Sequence, residues 1–414
     1  MSGTTHVRPS DLRGLGRLAI DATVGVTDLV EALHRNIARV SPPLGKVARG
    51  RTTGITGLVY GAVRGVTGLV GTGIDAVLAR LVPLLAEKRS SAEREAVLAA
   101  LNGVLGDYLA ETQNPLTIPM RLRHEGRPLG FGPAALAAAI AHPTPRIAVL
   151  VHGLCMNDRQ WTREGHDHGA LLAREAGFTP VYLHYDSGRH ISTNGREFAA
   201  MLERLVGAWP VPVAELVIIG HSMGGLVARS ACHYGAAAGH AWPSTLAALF
   251  FLGTPHLGAP LERGGHWVDL LLDSSPYTAP FARLGRIRSA GITDLRHGYL
   301  VDEDWAGHDR FERRAAPTHA VPLPAGVRCY VLAATTGKRA GSLGDRLAGD
   351  GLVPLASALG RHAAKSRDLG IPVSRQWVGV RMNHLDLLSS ASAGEQMLGW
   401  LEAKRAGRKP PISG

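Results

Sequence analysis

The stretch that most constrains this chain is Gly220-His221-Ser222-Met223-Gly224-Gly225, directly behind the apolar run Leu216-Val217-Ile218-Ile219. An apolar run ending in a serine set among glycines is the sequence form of a strand that turns sharply into a helix, the nucleophile elbow G-x-S-x-G. So tight a turn forces the serine into strained backbone angles. It is open only where Gly220 and Gly224 bring no Cβ against the strand and helix. Ser222 Oγ then stands at the edge of a sheet, at the positive end of the following helix. A serine used there as a nucleophile needs a base, an acid that orients the base, and two amides for the developing negative charge.

The surrounding rhythm agrees. Ile147–Val151, Val181–His184, Leu216–Ile219, Leu246–Leu252, Val327–Ala333 and Trp377–Val380 read as strands. Helices are expected over 167–176, 195–207, 223–236 and 391–404, with Asn194 and Glu197 as the cap of the second. Met120 to Leu129 reads as a short strand and turn. Continuous apolar strands alternating with helices predict an α/β fold, a mostly parallel sheet covered by helices on both faces. Residues 261–320 break this rhythm with Gly, Pro, Arg and His, and predict an inserted cap over the site.

The first part of the chain is different. Val26, Leu29, Leu33, Ile37 and Val40 fall on one helical face, and Ile55 to Leu85 repeats the pattern with Gly57, Gly61 and Gly65 on a shared face. Ser90-Ser91-Ala92-Glu93 is a capping box that opens a third helix, with Val97, Leu101, Val104, Leu105 and Tyr108 as its apolar face. The expected division is a helical region over 1–112, a catalytic domain over 113–405 and a tail over 406–414. Two roles are open for the helical region: a unit that packs on the enzyme or self-associates into an oligomer, or an amphipathic region that settles on a lipid surface.

Composition narrows the classes. Of 414 residues 45% are hydrophobic and 19% charged, ordinary for a folded protein. The start of the chain lacks an apolar leader, and no apolar run reaches the roughly 18 residues of a membrane span, so a cytoplasmic protein is expected. Three scattered cysteines make neither a disulfide framework nor a cysteine zinc site. His166 and His168 form an HxH pair without a third ligand at metal spacing, and no metal is expected. The absence of G-x-G-x-x-G and of a P-loop predicts no nucleotide cofactor. The formal net charge of +11 favours anionic surfaces. Without aromatic-studded basic stripes, nucleic acid is not expected as a partner.

The base should follow the last strand, which selects His384 in Arg381-Met382-Asn383-His384-Leu385-Asp386 from 19 histidines. The acid should lie between serine and histidine. Asp350 in Gly349-Asp350-Gly351-Leu352-Val353-Pro354 fits, with Asp345 as the rival. The oxyanion amides are expected from Met223, the residue after the serine, and from Leu154, after the turn His152-Gly153 behind an earlier strand. Asn157, Asp158 and Trp161 should brace that turn.

This set (GHSMGG, VHGLCMNDRQW, GTPHLGAP at Gly253–Pro260, GDGLVP and NHLDLL) resembles the α/β-hydrolase superfamily, in particular bacterial lipase- and esterase-like members, over residues 115–405. The resemblance implies an α/β-hydrolase fold and serine-dependent hydrolysis of a carboxylic ester through an acyl-enzyme. It places the Gly-Thr-Pro-His-Leu-Gly stretch in the wall of the acyl pocket, which is expected to involve His152, Gly153, His221, His256 and Leu257. The expected substrate is a lipid-like or otherwise apolar ester at a membrane, droplet or polyester-granule surface. Acyl transfer, thioester hydrolysis and polyester depolymerisation are the alternatives with the same residues, and a noncatalytic lipid-surface scaffold is the alternative without them.

Overall fold

The protein is described here by a computed structural model, covering residues 10, 13–14, 16–17, 92–259, 289–307, 319–338 and 349–405. The two expected N-terminal helices, the Ser90-Ser91 cap, most of the expected insertion at 261–320, Asp345 and the tail at 406–414 lie outside the described residues. By their contacts, residues 1–94 with 111–117 form one unit, and residues 95–110 with 118–414 another. In the first unit, Arg17 donates through Nη2 to Thr112 O at 2.6 Å and Asn114 donates through Nδ2 to Gly14 O at 3.1 Å. The second unit holds the sheet.

Its strands are β1 (Arg121–His124), β2 (Arg127–Pro128), β3 (Arg146–Val151), β4 (Thr179–His184), β5 (Glu215–His221), β6 (Leu246–Leu252), β7 (Arg328–Thr335) and β8 (Gln376–Val380), in the order β2-β1-β4-β3-β5-β6-β7-β8. β1 pairs antiparallel with β2 and β4, and every other neighbour pair is parallel. The expected strands are therefore present, with small shifts at their ends. The described helices are α1 (Ala92–Glu111), α2 (Pro133–Ala139), α3 (His168–Ala176), α4 (Ile191–Ala208), α5 (Met223–Ala237), α6 (Ala290–His297), α7 (Leu355–Ala358), α8 (Asp386–Ser389) and α9 (Ala391–Arg405).

The chain runs from β3 outward to β4, then back across β3 to β5 and on to β6. Right-handed crossovers put α3 on one face of the sheet and α4 and α5 on the other. The strand order reverses between β3 and β5, and it is beyond the carboxyl ends at such a point that open parallel sheets bind ligands. Every residue of β5 is buried, as expected of a strand covered on both faces.

Two local expectations give way to tertiary packing. α4 begins earlier than expected, with His190 at its N-cap. Asn194 sits buried inside the helix, donating through Nδ2 to Asp186 O at 2.9 Å, while Glu197 pairs with Arg189 at 2.8 Å. In α1 the buried face is not the one with the largest side chains. Leu101 and Val104 are buried, but Val97 and Leu105 are half-buried and Tyr108 is exposed, whereas Ala99, Ala100, Asn102, Gly103 and Gly106 are covered. The reason is close approach: a Cβ on Gly103 would overlap Cys155 Sγ, and one on Gly106 would overlap the Asp186 carboxylate. Bulky residues cannot occupy those two positions, although Leu101, Val104 and Leu109 are buried elsewhere on the helix. Of the expected insertion, α6 is described. Its N-cap Ser289 donates to Gly103 O at 2.7 Å, and Ala290 N donates to Asp107 Oδ2 at 3.0 Å.

Candidate active site

At the end of β5 the chain turns through Ser222 at φ 54°, ψ −124°, and α5 starts at Met223. That left-handed φ is costly for a serine and persists because its surroundings leave no alternative. A Cβ on Gly220 would lie 2.5 Å from Gly225 Cα, one on Gly224 would overlap Val151 O, and one on Gly225 would overlap the Thr254 side chain. The turn is thus wedged between the end of β3 and the turn after β6. Ser222 N donates to Leu252 O at 2.8 Å. Thr254 belongs to the Gly-Thr-Pro-His-Leu-Gly stretch expected in the acyl-pocket wall, and its packing on the elbow glycine is a tertiary contact that no local pattern marks.

His384 and Asp350 meet as expected. His384 donates through Nδ1 to Asp350 Oδ2 at 2.7 Å, with both side chains fully buried. The other oxygen, Oδ1, accepts from Leu352 N at 3.0 Å and Val353 N at 2.7 Å. The turn is held as well, since His384 N donates to Asp350 O at 3.0 Å. A Cβ on Gly349, at φ 50°, would overlap Val353 O, which explains the glycine before the acid. The loop carrying His384 is pinned by Asn383. Its Oδ1 accepts from Leu385 N and Asp386 N, and its own N donates to Asp386 Oδ2 at 2.7 Å.

Gly253, which follows Leu252, packs directly against the imidazole of His384. A Cβ there would lie 3.0 Å from His384 Nδ1 and Cε1. Ser222 Oγ has no hydrogen-bond partner among the described residues, so it is not bonded to the imidazole. Such bonds are often long before substrate binds. Ser222 is 1% exposed and His384 0%.

The expected oxyanion loop lies against the serine. A Cβ on Gly153 would be 3.1 Å from Ser222 Cβ and 3.3 Å from His221 Nδ1. His152 is held by its own turn, with Nδ1 donating to Gly153 O at 2.9 Å. The Tyr185 hydroxyl donates to His152 O at 2.9 Å, and the two rings stack 4.3 Å apart. Cys155, at φ 58°, donates its N–H to Ser187 Oγ at 3.0 Å. Tyr185 and Ser187 therefore fasten the loop from the end of β4. The brace expected beyond it is present. Asn157 caps the turn Asp158–Trp161, and buried Trp161 sets its edge toward His221 at 6.3 Å.

Burial dominates the electrostatics. It pushes His152 down to about 3, and His221 and His256 well below the ordinary imidazole range, so all three are neutral near pH 7. His221 donates through Nε2 to His384 O at 3.2 Å, which supports the loop of the base from beneath. His166 and His168 are hydrogen-bonded to each other at 2.9 Å, and His168 donates onward to Leu387 O at 2.8 Å. Glu95, Asp158 and His184 place three ligand atoms within 4.8 Å of one another, a grouping that could hold a metal ion. Arg123 Nη1 already bridges its two carboxylates, at 2.7 and 2.9 Å. Of the expected pocket residues, His256 and Leu257 line a cavity of about 400 Å³; Ser222 and His384 do not line it.

A strained serine at the strand-to-helix turn, an acid–imidazole pair after the last two strands and a glycine turn against the serine recur together in one known fold. Residues 143–322 match the family model of the PGAP1-like alpha/beta domain. The domain has the α/β-hydrolase fold. The PGAP1-like match spans β3 to the segment before β7, and so contains the serine and the oxyanion loop but neither Asp350 nor His384. No curated protein matches the chain. Among solved structures, the mature lipase BlEst2 of Bacillus licheniformis is 18% identical, covering 64% of this chain and 94% of its own, with a TM-score of 0.40. A lipase-esterase related protein of Clostridium acetobutylicum is 12% identical, covering 62% and 94%, with a TM-score of 0.33. EstA of Clostridium botulinum is 13% identical, covering 77% and 99%, with a TM-score of 0.33. At such identities and TM-scores these likenesses say nothing of substrate.

Proposed function

We propose that this α/β-hydrolase cleaves carboxylic esters of lipid-like acyl chains through an acyl-enzyme on Ser222. The observation that carries the reading is the buried His384–Asp350 hydrogen bond of 2.7 Å, with the His384 ring 4.7 Å from that of His221, the residue before a serine held at positive φ. Asp350 fixes the imidazole with its proton on Nδ1, leaving Nε2 as the base. His384 Nε2 takes the hydroxyl proton as Ser222 Oγ attacks the ester carbonyl carbon. The amides of Leu154 and Met223 hold the oxyanion. The tetrahedral intermediate collapses, the alcohol leaves with the proton from His384, and water then cleaves the acyl-enzyme by the same route. His152, Gly153 and His221 shape the floor of the ester pocket, whereas His256 and Leu257, expected in its wall, line a cavity that Ser222 does not border.

The reading extends to place. The net charge of +11 favours an anionic lipid or granule surface, and three buried free thiols suit the reducing cytoplasm. No helix among the described residues is long and apolar enough to cross a membrane. Binding to anionic vesicles should weaken steeply between 0.05 and 0.5 M salt, roughly as the screening length shortens.

The decisive experiment is labelling with a fluorophosphonate probe, run beside turnover of p-nitrophenyl esters from short to long acyl chains. Wild type should be labelled and Ser222→Ala should not, with turnover lower by at least about a thousandfold. Folded wild-type protein that resists the probe would instead favour a noncatalytic scaffold.

A further inference from the structure

A cavity lined by several basic residues lies beside α5 and is not bordered by Ser222. It holds about 400 Å³, within the range of roughly 300–1,000 Å³ of small-ligand sites, and is lined in part by Arg229, His256, His297, His319, Arg367 and Asp368. Arg229 projects from α5, two helical turns beyond Ser222, and none of Ser222, Asp350 or His384 borders the space.

Arg229 is the unusual member. It is 4% exposed, and no carboxylate among the described residues lies within ion-pair distance. Its Nη2 donates to Val321 O at 2.7 Å, its Nη1 meets His256 Nδ1 at 3.4 Å, and its Nε has no partner. Burial lowers its pKa to about 10, which leaves it charged near neutrality. A buried charge is unfavourable unless something pairs with it. His256 cannot serve, because it accepts through Nδ1 and so carries its proton on Nε2, a second buried donor without a partner. The one acid of the lining is already engaged: Asp368 accepts from His362 N at 2.9 Å and Gly370 N at 2.8 Å. Asp304, behind the lining, accepts from Leu300 N and Val301 N and pairs with His319. Asp368 remains an ionised, exposed carboxylate, so the lining carries two guanidinium groups against one carboxylate, and among the described residues none of the carboxylates lies within ion-pair distance of Arg229.

We infer that this cavity binds the phosphate group of a small anionic molecule. A guanidinium offers parallel N–H donors suited to two oxygens of an oxyanion. Histidines and Arg367 reach the same space from other segments, which suits a tetrahedral group better than a planar carboxylate. The site is independent of the chemistry at Ser222.

The test is calorimetric titration of the full-length Ser222→Ala protein with inorganic phosphate, glycerol 3-phosphate and succinate at constant ionic strength. Both phosphates should bind, and succinate should bind at least tenfold more weakly. Arg229→Met should weaken phosphate binding tenfold or more. Should Arg229→Met fail to fold, the exposed Arg367→Ser should still weaken it several-fold with an unchanged Tm. Absence of phosphate binding, succinate binding as tight as phosphate, or full affinity in folded variants at both positions would overturn the inference. Binding confined to vesicles containing phosphatidic acid, with none to the soluble phosphates, would overturn it too.

Discussion

Gly103 in the middle of α1 lies directly against Cys155 in the turn after β3, so that a side chain there would overlap Cys155 Sγ and come within 2.9 Å of Cys155 Cα. The helix is thus the backing of the loop that sets Gly153 against Ser222 and carries the amide proposed for Leu154. Gly103→Val should push that loop out of line. We expect a loss of stability of about 1–3 kcal/mol from overpacking, and a fall in ester turnover larger than the stability loss explains. Denaturant midpoints and p-nitrophenyl ester turnover below the unfolding range separate the two effects. Unchanged turnover in a folded variant would mean that the backing does not matter to the site.

Asp350→Asn separates charge and tautomer from geometry. The asparagine carbonyl can still accept from Leu352 N and Val353 N, which keeps the turn. Its NH₂ then faces His384 Nδ1 and drives the imidazole proton to Nε2, where the base must be free. Turnover should drop by about 10³–10⁴ with little change in Tm. An Asp350→Asn protein retaining more than a tenth of the activity would remove Asp350 from the proposed mechanism.

Asp186 gives the fold a pH dependence. Burial pushes its carboxyl up to about 7, against an ordinary value of 3.8, only partly offset by the hydrogen bond from Gly188 N. The native state therefore holds this proton more tightly than the unfolded chain does. Its contribution is complete below pH 4 and is lost as pH rises from about 4 to about 7. Asp186→Asn keeps an acceptor for Gly188 and has no proton to lose. The variant should gain a few kcal/mol relative to wild type between pH 4 and pH 8, on the scale of about 1.4 kcal/mol per unit. Urea unfolding at both ends of that range measures it, and a constant difference between the two proteins would contradict the assignment.

Arg123 is the shared partner of buried Glu95 and Asp158, tying α1 to the brace of the oxyanion loop. Arg123→Met leaves both carboxylates buried without their cation. It should cost about 3–5 kcal/mol, the magnitude seen when one member of a buried ionic group is removed. The additional replacements Glu95→Gln and Asp158→Asn should restore part of that loss. No recovery in the triple variant would show that Arg123 acts through packing of its stem.

What could be read ahead of the fold was what neighbours along the chain enforce on one another. Ser222 and its glycines were legible because the turn is local: Gly220, Gly224 and Gly225 must be small for the serine to take its angles, whatever surrounds them. His384 was legible because it follows the last strand, and the strands were legible because burial on both faces demands unbroken apolar runs. Chain order admits both Asp345 and Asp350 as the acid; the glycines on either side of Asp350 favoured it, while its hydrogen bond to His384 crosses between two loops that share no sequence pattern.

Other features depend on distance in space alone. The large apolar side chains of α1 marked its buried face only in part, through Leu101 and Val104, because hydrophobic periodicity has no way to register that Gly103 and Gly106 are small to admit Cys155 and Asp186. Asn194 looked like a helix cap until the end of β4 offered it Asp186 O. Arg229 reads as an ordinary basic residue on a helix. Only the packing of α5 against the turn after β6 and the segment before β7 strips it of water without giving it a counter-charge. Local geometry is written in short-range sterics and periodicity, while the environment of a buried charge is set by whichever remote segments the fold brings beside it.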